Sequence, residues 1–96
     1  MNMKILKTKQ MVTVKKFSAT WCGPCRMLSP VFEQLKPNFS NVKFEEYDVD
    51  NYSEEVTKYS VTSVPTVVVV KDGVEVERFV GLNSKMMYEN AIKSHI

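Results

Sequence analysis

Residues 21–25 read Trp21-Cys22-Gly23-Pro24-Cys25, and this stretch decides how the rest of the sequence is interpreted. Before it, residues 11–17 are rich in β-branched side chains and predict a strand. After it, apolar residues recur at helical spacing and predict a helix over residues 23–36, with Pro30 kinking it and Pro37 ending it. The two cysteines therefore lie at a strand-to-helix turn.

Cys22 and Cys25 are the only cysteines among the 96 residues. A disulfide scaffold of this length would need several bridges. A zinc site needs about four ligands, whereas the single histidine, His95, lies next to the C-terminus. We therefore predict a redox-active pair that forms a disulfide, and no metal site.

The position of Cys22 at the start of a helix predicts which sulfur reacts first. Unpaired N–H groups and the positive end of the helix dipole favour its thiolate and lower its pKa below the value of about 8.5 for a free thiol. Cys25 lies one turn along the same helix, within bonding reach and more shielded. Gly23 permits close approach of a partner chain, and Pro24 suits the first helical turn. We assign Cys22 as the nucleophile and Cys25 as the thiol that resolves the mixed disulfide.

The remaining sequence alternates between strand and helix signals. Strands are predicted at residues 42–47, 66–70 and 74–80, a short helix ends near residue 59, and a final helix covers residues 84–95. The run 66–70 is continuously apolar, as expected for a strand buried on both faces, and Asp72-Gly73 signals a hairpin. The order β-α-β-α-β-β-α predicts a single α/β domain over residues 1–96.

Caps and inward-facing positions of the later helices follow from residue type and spacing. Asn51 or Ser53 is a candidate cap of the short helix, and Ser84 of the final one. In the final helix we expect three side chains to face inward, namely Met87, Ala91 and Ile92.

Composition excludes several classes of protein. Hydrophobic residues make up 44% of the chain and charged residues 25%, a globular rather than a disordered balance. No apolar run is long enough to cross a membrane, and the N-terminal lysines are not followed by the apolar stretch of a secretory signal. We expect a cytoplasmic protein, in the host cytoplasm if the source is a virus, with no membrane partner.

Charge gives little support to a nucleic-acid partner, because the net charge is only +2. Residues 1–32 contain no acidic residue, however, and Glu33 to Glu55 is strongly acidic. A basic arm that binds nucleic acid is the less favoured alternative. We expect instead that these segments become neighbours in the fold and offset each other.

The sequence from Phe17 to Met27 closely resembles the active-site signature of the thioredoxin family. Further matches follow in order over residues 11–96: Pro30, Tyr47-Asp48-Val49-Asp50, Tyr59, Val61, Val64-Pro65-Thr66, Lys71-Asp72-Gly73 and Val80-Gly81. The resemblance implies a monomeric protein-disulfide reductase with the thioredoxin fold and no bound cofactor. It also implies disulfide-containing protein substrates and recharging by a flavoprotein thioredoxin reductase that uses NADPH.

The resemblance further implies a cis peptide bond between Val64 and Pro65, beside the dithiol, where the backbone pairs with the substrate chain. The implied docking surface consists of Trp21, Gly23, Pro24, Val64, Pro65, Gly81 and Leu82. On residue type alone, simple core packing is the favoured reading of Val64 and Leu82. A shallow apolar patch suits weak binding of many extended chains.

The chain departs from the family pattern at its N-terminus. Thioredoxins usually begin with an extra strand and helix, and a helical crossover needs a dozen or more residues. Only Met1 to Gln10 precede the first predicted strand here. We therefore predict that the first helix is missing and that Lys4 to Thr8 is at most a short fifth edge strand. The predicted core is a four-stranded mixed sheet flanked by three helices.

A second departure concerns charge polarity near the cysteines. The family has a buried aspartate beneath the resolving cysteine and a lysine on the neighbouring strand, and the matching positions here are Lys16 and Glu46. Strand parity independently places both charges on core-side faces of adjacent strands. We predict that Lys16 and Glu46 pair and belong to the catalytic site, because an unpaired buried charge is costly. In the alternative, both side chains snorkel outward and never meet.

Either member of this pair has a conceivable role in proton transfer. Glu46, or a neutral Lys16, is a candidate acceptor for the Cys25 proton. A charged Lys16 would instead stabilise thiolate and make the protein a stronger oxidant.

Two other functions compete with a thioredoxin-like reductase. One is a glutaredoxin-like protein reduced by glutathione, which more often carries a tyrosine within the motif instead of Gly23-Pro24. The other is a non-enzymatic binding subunit that uses the same patch, which the intact cysteine pair disfavours as a sole role.

Overall fold

Strands and helices alternate along residues 11–96, the part of the chain that the computed structural model describes. The strands are β1 (Val12–Ser18), β2 (Val42–Asp48), β3 (Thr66–Lys71) and β4 (Val74–Val80). The helices are α1 (Gly23–Leu35), α2 (Ser53–Lys58) and α3 (Lys85–Lys93), and one 3₁₀ turn, Lys36–Asn38, follows α1. The predicted order is confirmed. The predictions for Lys4 to Thr8 and for a missing first helix lie outside the described residues.

The four strands form one mixed sheet in the order β2-β1-β3-β4. β1 runs parallel to β2, and the pairs β1–β3 and β3–β4 are antiparallel. Between β1 and β2 the chain crosses over through α1, as a parallel connection requires. The cysteines therefore lie where the central strand β1 passes into its crossover helix.

Helices cover both faces of the sheet. On one face, α1 and α3 enclose the larger part of the core: Val12, Val14, Leu28, Phe32, Leu35, Val67, Val69, Tyr88 and Ile92. On the other face, Phe17, Val68 and Val70 pack with Val56 of α2 and with Tyr59 just after it. β3 contributes to both sides, which confirms the prediction of a strand buried on both faces.

The hairpin between β3 and β4 also follows its sequence signal. Asp72 and Gly73 both have positive φ, 52° and 84°, the backbone conformation that a two-residue hairpin turn needs. A glycine adopts this conformation without strain, and an aspartate tolerates it better than most residues. The turn residues therefore account for the tight return of the chain.

The prediction that Asn51 or Ser53 caps α2 was wrong. The residue before α2 is Tyr52, whose side chain makes no capping bond, so neither Asn51 nor Ser53 caps the helix. Asn51 is engaged elsewhere, because its backbone and side-chain nitrogens both donate to Asp48 in the preceding turn. The acidic Glu54 and Glu55 in the first turn favour the helix dipole instead.

The inward face of α3 was predicted in part. Ser84 is its cap and accepts a hydrogen bond from the Met87 backbone at 3.3 Å. Ala91 and Ile92 are buried as expected, but Met87 is exposed and Tyr88 is buried in its place. Tyr88 shares one helix face with Ala91 and Ile92 at i+3 and i+4, whereas Met87 is rotated away from it.

A polar network occupies the α2 side of β1. Lys15 Nζ lies 3.0 Å from Glu45 Oε1 and 3.4 Å from Glu55 Oε1, and the Tyr47 hydroxyl donates to Glu45 Oε1 at 2.5 Å. The hydrogen bond from Tyr47, followed by those from Lys15 and Lys43, lowers the pKa of Glu45 from 4.5 to about 2. Burial alone would lower the pKa of Lys15, but the hydrogen bonds to Glu45 and Tyr47 raise it.

We predict that this network contributes acid-sensitive stability. The lowered pKa of Glu45 means that its contribution is complete above pH 4.5 and is lost as pH falls toward 2. For the partly buried Glu45 we expect a contribution of about 2 kcal/mol. Glu45→Gln should therefore flatten the fall in unfolding free energy over this pH range in urea titrations. Glu54→Gln, an exposed control, should retain the wild-type slope, and an unchanged slope in Glu45→Gln would contradict the prediction.

Candidate active site

A short turn joins the end of β1 to the first residue of α1 and positions both cysteines. The Cys22 backbone N–H donates to the Ala19 carbonyl at 3.2 Å, and Ala19 is buried. Cys22 is the cap of α1, with extended φ and ψ of −96° and 114°, and its sulfur accepts the Cys25 backbone N–H at 3.2 Å. Pro24 lies in the first turn, where its missing N–H costs no helical hydrogen bond. The predicted position of Cys22 at the helix N-terminus is confirmed.

Cys22 and Cys25 form a disulfide, with 5.3 Å between their Cα atoms. In this oxidised state the two residues are almost equally buried, 5% and 4% exposed. They form a small apolar cluster with Ala19, against which Val49 and Val64 pack. The disulfide is therefore packed against Ala19, just after β1, against Val49, just after β2, and against Val64, in the loop before β3.

Exposed side chains surround this buried pair. Trp21 is 67% exposed, and Gly23, Pro24 and Leu82 are also exposed. The prediction that Leu82 packs in the core was therefore wrong. The same prediction for Val64 is confirmed in part, because Val64 is half-buried against the cysteine cluster.

The loop after β4 is tied to the loop before β3. The Val64–Pro65 peptide bond is cis, and Pro65 is fully buried. The Gly81 N–H donates to the Pro65 carbonyl at 2.8 Å, and Gly81 has a φ of 89°, in the region that favours glycine. Gly81 and Leu82 are thereby held next to Pro65.

Asp50 is a residue whose role sequence reasoning missed. The Trp21 indole Nε1 donates to Asp50 Oδ2 at 3.1 Å, which restrains an otherwise exposed ring. Asp50 belongs to the quoted stretch after β2, but nothing in its local sequence indicates that it faces a tryptophan 29 residues earlier.

Lys16 and Glu46 meet as predicted, so the outward-snorkelling alternative is wrong. They are opposite each other in the β1–β2 register, and Lys16 Nζ lies 3.6 Å from Glu46 Oε1. Two partners were missed: Ser29 Oγ, 3.4 Å from Lys16 Nζ, and Lys36 Nζ, 3.4 Å from Glu46 Oε2. The sequence does contain an indication that Ser29 lies near the site, because it follows Cys25 by one helical turn and so shares its face of α1.

Within residues 11–96, no group of three or more His, Cys, Asp or Glu side chains is placed to hold a metal ion. None of the helices in this range is long and apolar enough to cross a membrane.

Comparisons with known proteins agree with this geometry. Over residues 2–94 the sequence matches the family Thioredoxin. Thioredoxin of Bacillus subtilis is 38% identical over 91 residues, covering 94% of this chain and 88% of the relative. Thioredoxin of Chlamydia pneumoniae is 43% identical over 79 residues, covering 82% of this chain and 78% of the relative. This chain belongs to the thioredoxin family.

Solved structures of thioredoxins share its fold. Fasciola hepatica thioredoxin matches with a TM-score of 0.85 at 42% identity, covering 97% of this chain and 88% of the other. A second match has a TM-score of 0.82 at 31% identity and covers 97% and 90% of the two chains. It is described as the structural basis of the thiol resolving mechanism in yeast mitochondrial 1-Cys peroxiredoxin via glutathione/thioredoxin systems. The predicted thioredoxin fold is confirmed.

Family membership and the paired cysteines together establish the reaction class. The chain is a thiol–disulfide oxidoreductase of the thioredoxin type, and it reduces disulfides by exchange through Cys22 and Cys25. Members of the family usually bind no cofactor, and their substrates contain disulfides.

We predict that Asp50 limits the motion of the Trp21 ring. Asp50→Ala removes the acceptor and should increase local motion of the indole, with at most about 1 kcal/mol of lost stability because the bond is exposed. Trp21 is the single tryptophan, so time-resolved fluorescence anisotropy of the thioredoxin reports on this ring alone. Asp50→Asn keeps an acceptor and should retain most of the restraint. Equal anisotropy decays in all three proteins would contradict this role.

Proposed function

We propose that this thioredoxin reduces disulfide bonds of protein substrates, with Cys22 as the attacking thiolate and Cys25 as the resolving thiol. The observation that carries the assignment is the position of the Cys22 sulfur at the cap of α1, where it accepts the Cys25 N–H. A hydrogen bond and the helix dipole both favour negative charge on that sulfur. Cys25 lies inside the helix and accepts no such cap bond.

The proposed reaction has two exchange steps. In the first, the Cys22 thiolate attacks one sulfur of the substrate disulfide, and the other substrate sulfur leaves with the electron pair. In the second, Cys25 attacks the Cys22 sulfur, which releases the second substrate sulfur as a thiolate and forms the Cys22–Cys25 disulfide. The substrate gains two electrons and the cysteine pair loses two.

We propose that the substrate chain docks across the exposed rim of the cysteine pair. The exposed residues of this surface are Trp21, Gly23, Pro24 and Leu82, and Val64 and Gly81 are partly exposed. The buried Pro65 supports the surface through its hydrogen bond with Gly81. Exposed apolar side chains at Trp21 and Leu82 favour contact with an extended chain. The hydrogen bond between Gly81 and Pro65 supports the idea that the two loops act as one platform, on which the Val64 backbone pairs with the substrate.

The oxidised pair must be reduced again after each turnover. We propose a flavoprotein thioredoxin reductase using NADPH as the source of electrons, acting on a monomer in the cytoplasm, where thiols are kept reduced. The yeast structure matched above is described in terms of glutathione/thioredoxin systems, which supports a reductase and also makes glutathione the second candidate.

Insulin reduction with NADPH and thioredoxin reductase tests the proposed cycle. Wild type should support continuous NADPH oxidation and precipitate the insulin chains. Cys22→Ser should be inactive because the attacking sulfur is lost. Cys25→Ser should form the first mixed disulfide and stop there, giving a covalent adduct in non-reducing mass spectrometry.

The same assay separates the alternatives. Turnover with glutathione and glutathione reductase, but not with thioredoxin reductase, would assign the chain to a glutaredoxin-like role. A stable adduct in Cys22→Ser and none in Cys25→Ser would reverse the assignment of attacker and resolver.

A further inference from the structure

Lys16 is a buried lysine beneath the middle of α1, where it contacts Ser29 and Phe32. Its side chain is only 3% exposed, and three partners surround its ammonium. These are Ser29 Oγ at 3.4 Å, Glu46 Oε1 at 3.6 Å and the Phe32 ring, whose centroid is 5.2 Å away. An ammonium has three N–H donors, and a partner for each offsets the cost of burying the charge.

Ser29 connects this charge to the resolving cysteine. Its hydroxyl, which accepts from Lys16, lies 3.5 Å from the Cys25 carbonyl and donates to it. Cys25 and Ser29 lie one turn apart on α1, a rise of about 6 Å. Lys16 Nζ is thus linked to the Cys25 backbone through a single hydroxyl, and it lies in the protein interior, where an ammonium acts on a thiolate more strongly than at the surface.

Glu46 lies on the solvent side of the same group. Its side chain is 45% exposed, and both carboxylate oxygens have cationic partners, Lys16 on the inside and Lys36 on the outside. A cavity of about 520 Å³, open to solvent, is lined by both Glu46 and Cys25, with Ser29 also in its wall. One water occupies about 30 Å³, so this volume admits a water-mediated route for a proton from Cys25 to Glu46.

We propose that Lys16 and Glu46 divide the acid–base work at Cys25, with Glu46 as the proton acceptor and Lys16 as a positioning residue that stabilises the thiolate. This inference rests on the exchange cycle proposed above and concerns its second step. The Cys25 thiol gives its proton through the cavity to Glu46, and the resulting thiolate attacks the Cys22 sulfur. The Cys22–Cys25 bond forms as the bond from Cys22 to substrate breaks. The substrate sulfur takes the electron pair and is then protonated by Glu46 or solvent.

Two effects of Glu46 on the rate of resolution by Cys25 can be separated, because its negative charge should slow this step whereas its capacity to accept a proton should speed it. A negative charge near Cys25 disfavours its thiolate, so Glu46→Gln would speed resolution if Glu46 acted through charge alone. Loss of the acceptor would instead slow it. Lys16→Met removes the positive charge and retains much of the side-chain length, so resolution should slow because the Cys25 thiolate loses its stabilisation.

Other titratable groups face the same cavity and are left unchanged in the test. They are Arg26 from α1, Tyr47 and Asp48 from β2, and Tyr52 from the loop before α2. Glu33 and Lys36 lie beyond Glu46, with Lys36 Nζ 3.1 Å from Glu33 Oε2. Because every variant retains these groups, differences between pH profiles arise from the substituted residue.

The neighbouring pair in the same strands provides matched controls. Lys15 is opposite Glu45 in the register, and Lys16 is opposite Glu46, but the Lys15 pair faces α2 rather than α1. Lys15→Met and Glu45→Gln therefore make the same changes in charge one residue away and on the other side of the sheet. Circular dichroism checks that each variant is folded. Neither lysine substitution leaves a carboxylate without a partner, because Glu46 is half-exposed and keeps Lys36, and Glu45 keeps Lys43 and Tyr47.

The experiment is a single-turnover reaction of the reduced protein with one equivalent of the chromogenic disulfide 5,5′-dithiobis(2-nitrobenzoate), followed from pH 5.5 to 9. Attack by Cys22 releases the first nitrothiolate, and resolution by Cys25 releases the second. At pH 7 we expect Glu46→Gln and Lys16→Met each to slow the second phase by about threefold or more, and Lys16→Met to raise its midpoint by roughly half a pH unit. Lys15→Met and Glu45→Gln should stay within about twofold of wild type.

Each other outcome overturns part of the proposal. An unchanged or faster second phase in Glu46→Gln excludes Glu46 as the acceptor, and an unchanged phase in Lys16→Met excludes the thiolate role. Equal changes of the second phase in the Lys15 and Glu45 controls would mean that the rate responds only to the net charge of the protein, and the proposed roles of Lys16 and Glu46 would be wrong. The assay needs neither a reductase nor a protein substrate, so failure of insulin turnover with intact variant effects would refute the proposed cycle alone.

Discussion

The central position of β1 is the constraint on which the rest of the structure depends. It is paired on both sides, parallel to β2 and antiparallel to β3, and its side chains alternate between the α1 side and the α2 side. Its last residue, Ser18, accepts the Val49 N–H at 2.9 Å, so the ends of β1 and β2 stay together. The turn to α1 starts from this fixed point, and the reactive sulfur at its cap is therefore placed by the sheet rather than by a flexible loop.

Two consecutive lysines on this central strand make its register with β2 specific. Lys15 and Lys16 point to opposite faces and meet Glu45 and Glu46, which are also consecutive. A slip of two residues would keep each side chain on its face but place Lys16 opposite Phe44 or Asp48. A slip toward Phe44 would leave a buried charge without its carboxylate, at a cost of several kcal/mol. The ion pairs contribute specificity of pairing in this way, whatever their net contribution to stability.

The sequence predicts much of this arrangement because it depends on local rules. Helical spacing after Cys25, the β-branched strands and the Asp72-Gly73 turn predict the elements, and the period of two along a strand predicts the Lys16–Glu46 contact. The failures have two different causes, a local turn between residues three apart and a contact between residues 29 apart in sequence. Asp48 engages Asn51 and removes it as a cap, and Asp50 is paired with Trp21 across two loops. The alternation of side chains along a strand also predicts which face of the sheet a residue occupies, but not how deeply it is buried. It therefore does not predict that Lys16 is buried while Glu46 is half-exposed.

That difference in depth determines the electrostatics around the disulfide. The N-terminal end of α1 directs partial positive charge at Cys22, and no acidic residue in its first turn offsets it. Lys16 adds a full positive charge from below, deeper in the protein, whereas the opposing charge of Glu46 is screened by water and shared with Lys36. Under the proposed division of roles, Lys16 favours a thiolate at Cys25 more strongly than Glu46 opposes it, because buried charges act more strongly than exposed ones. We then expect two residues that are not cysteines, one buried in β1 and one half-exposed in β2, to set how readily the cysteine pair accepts electrons.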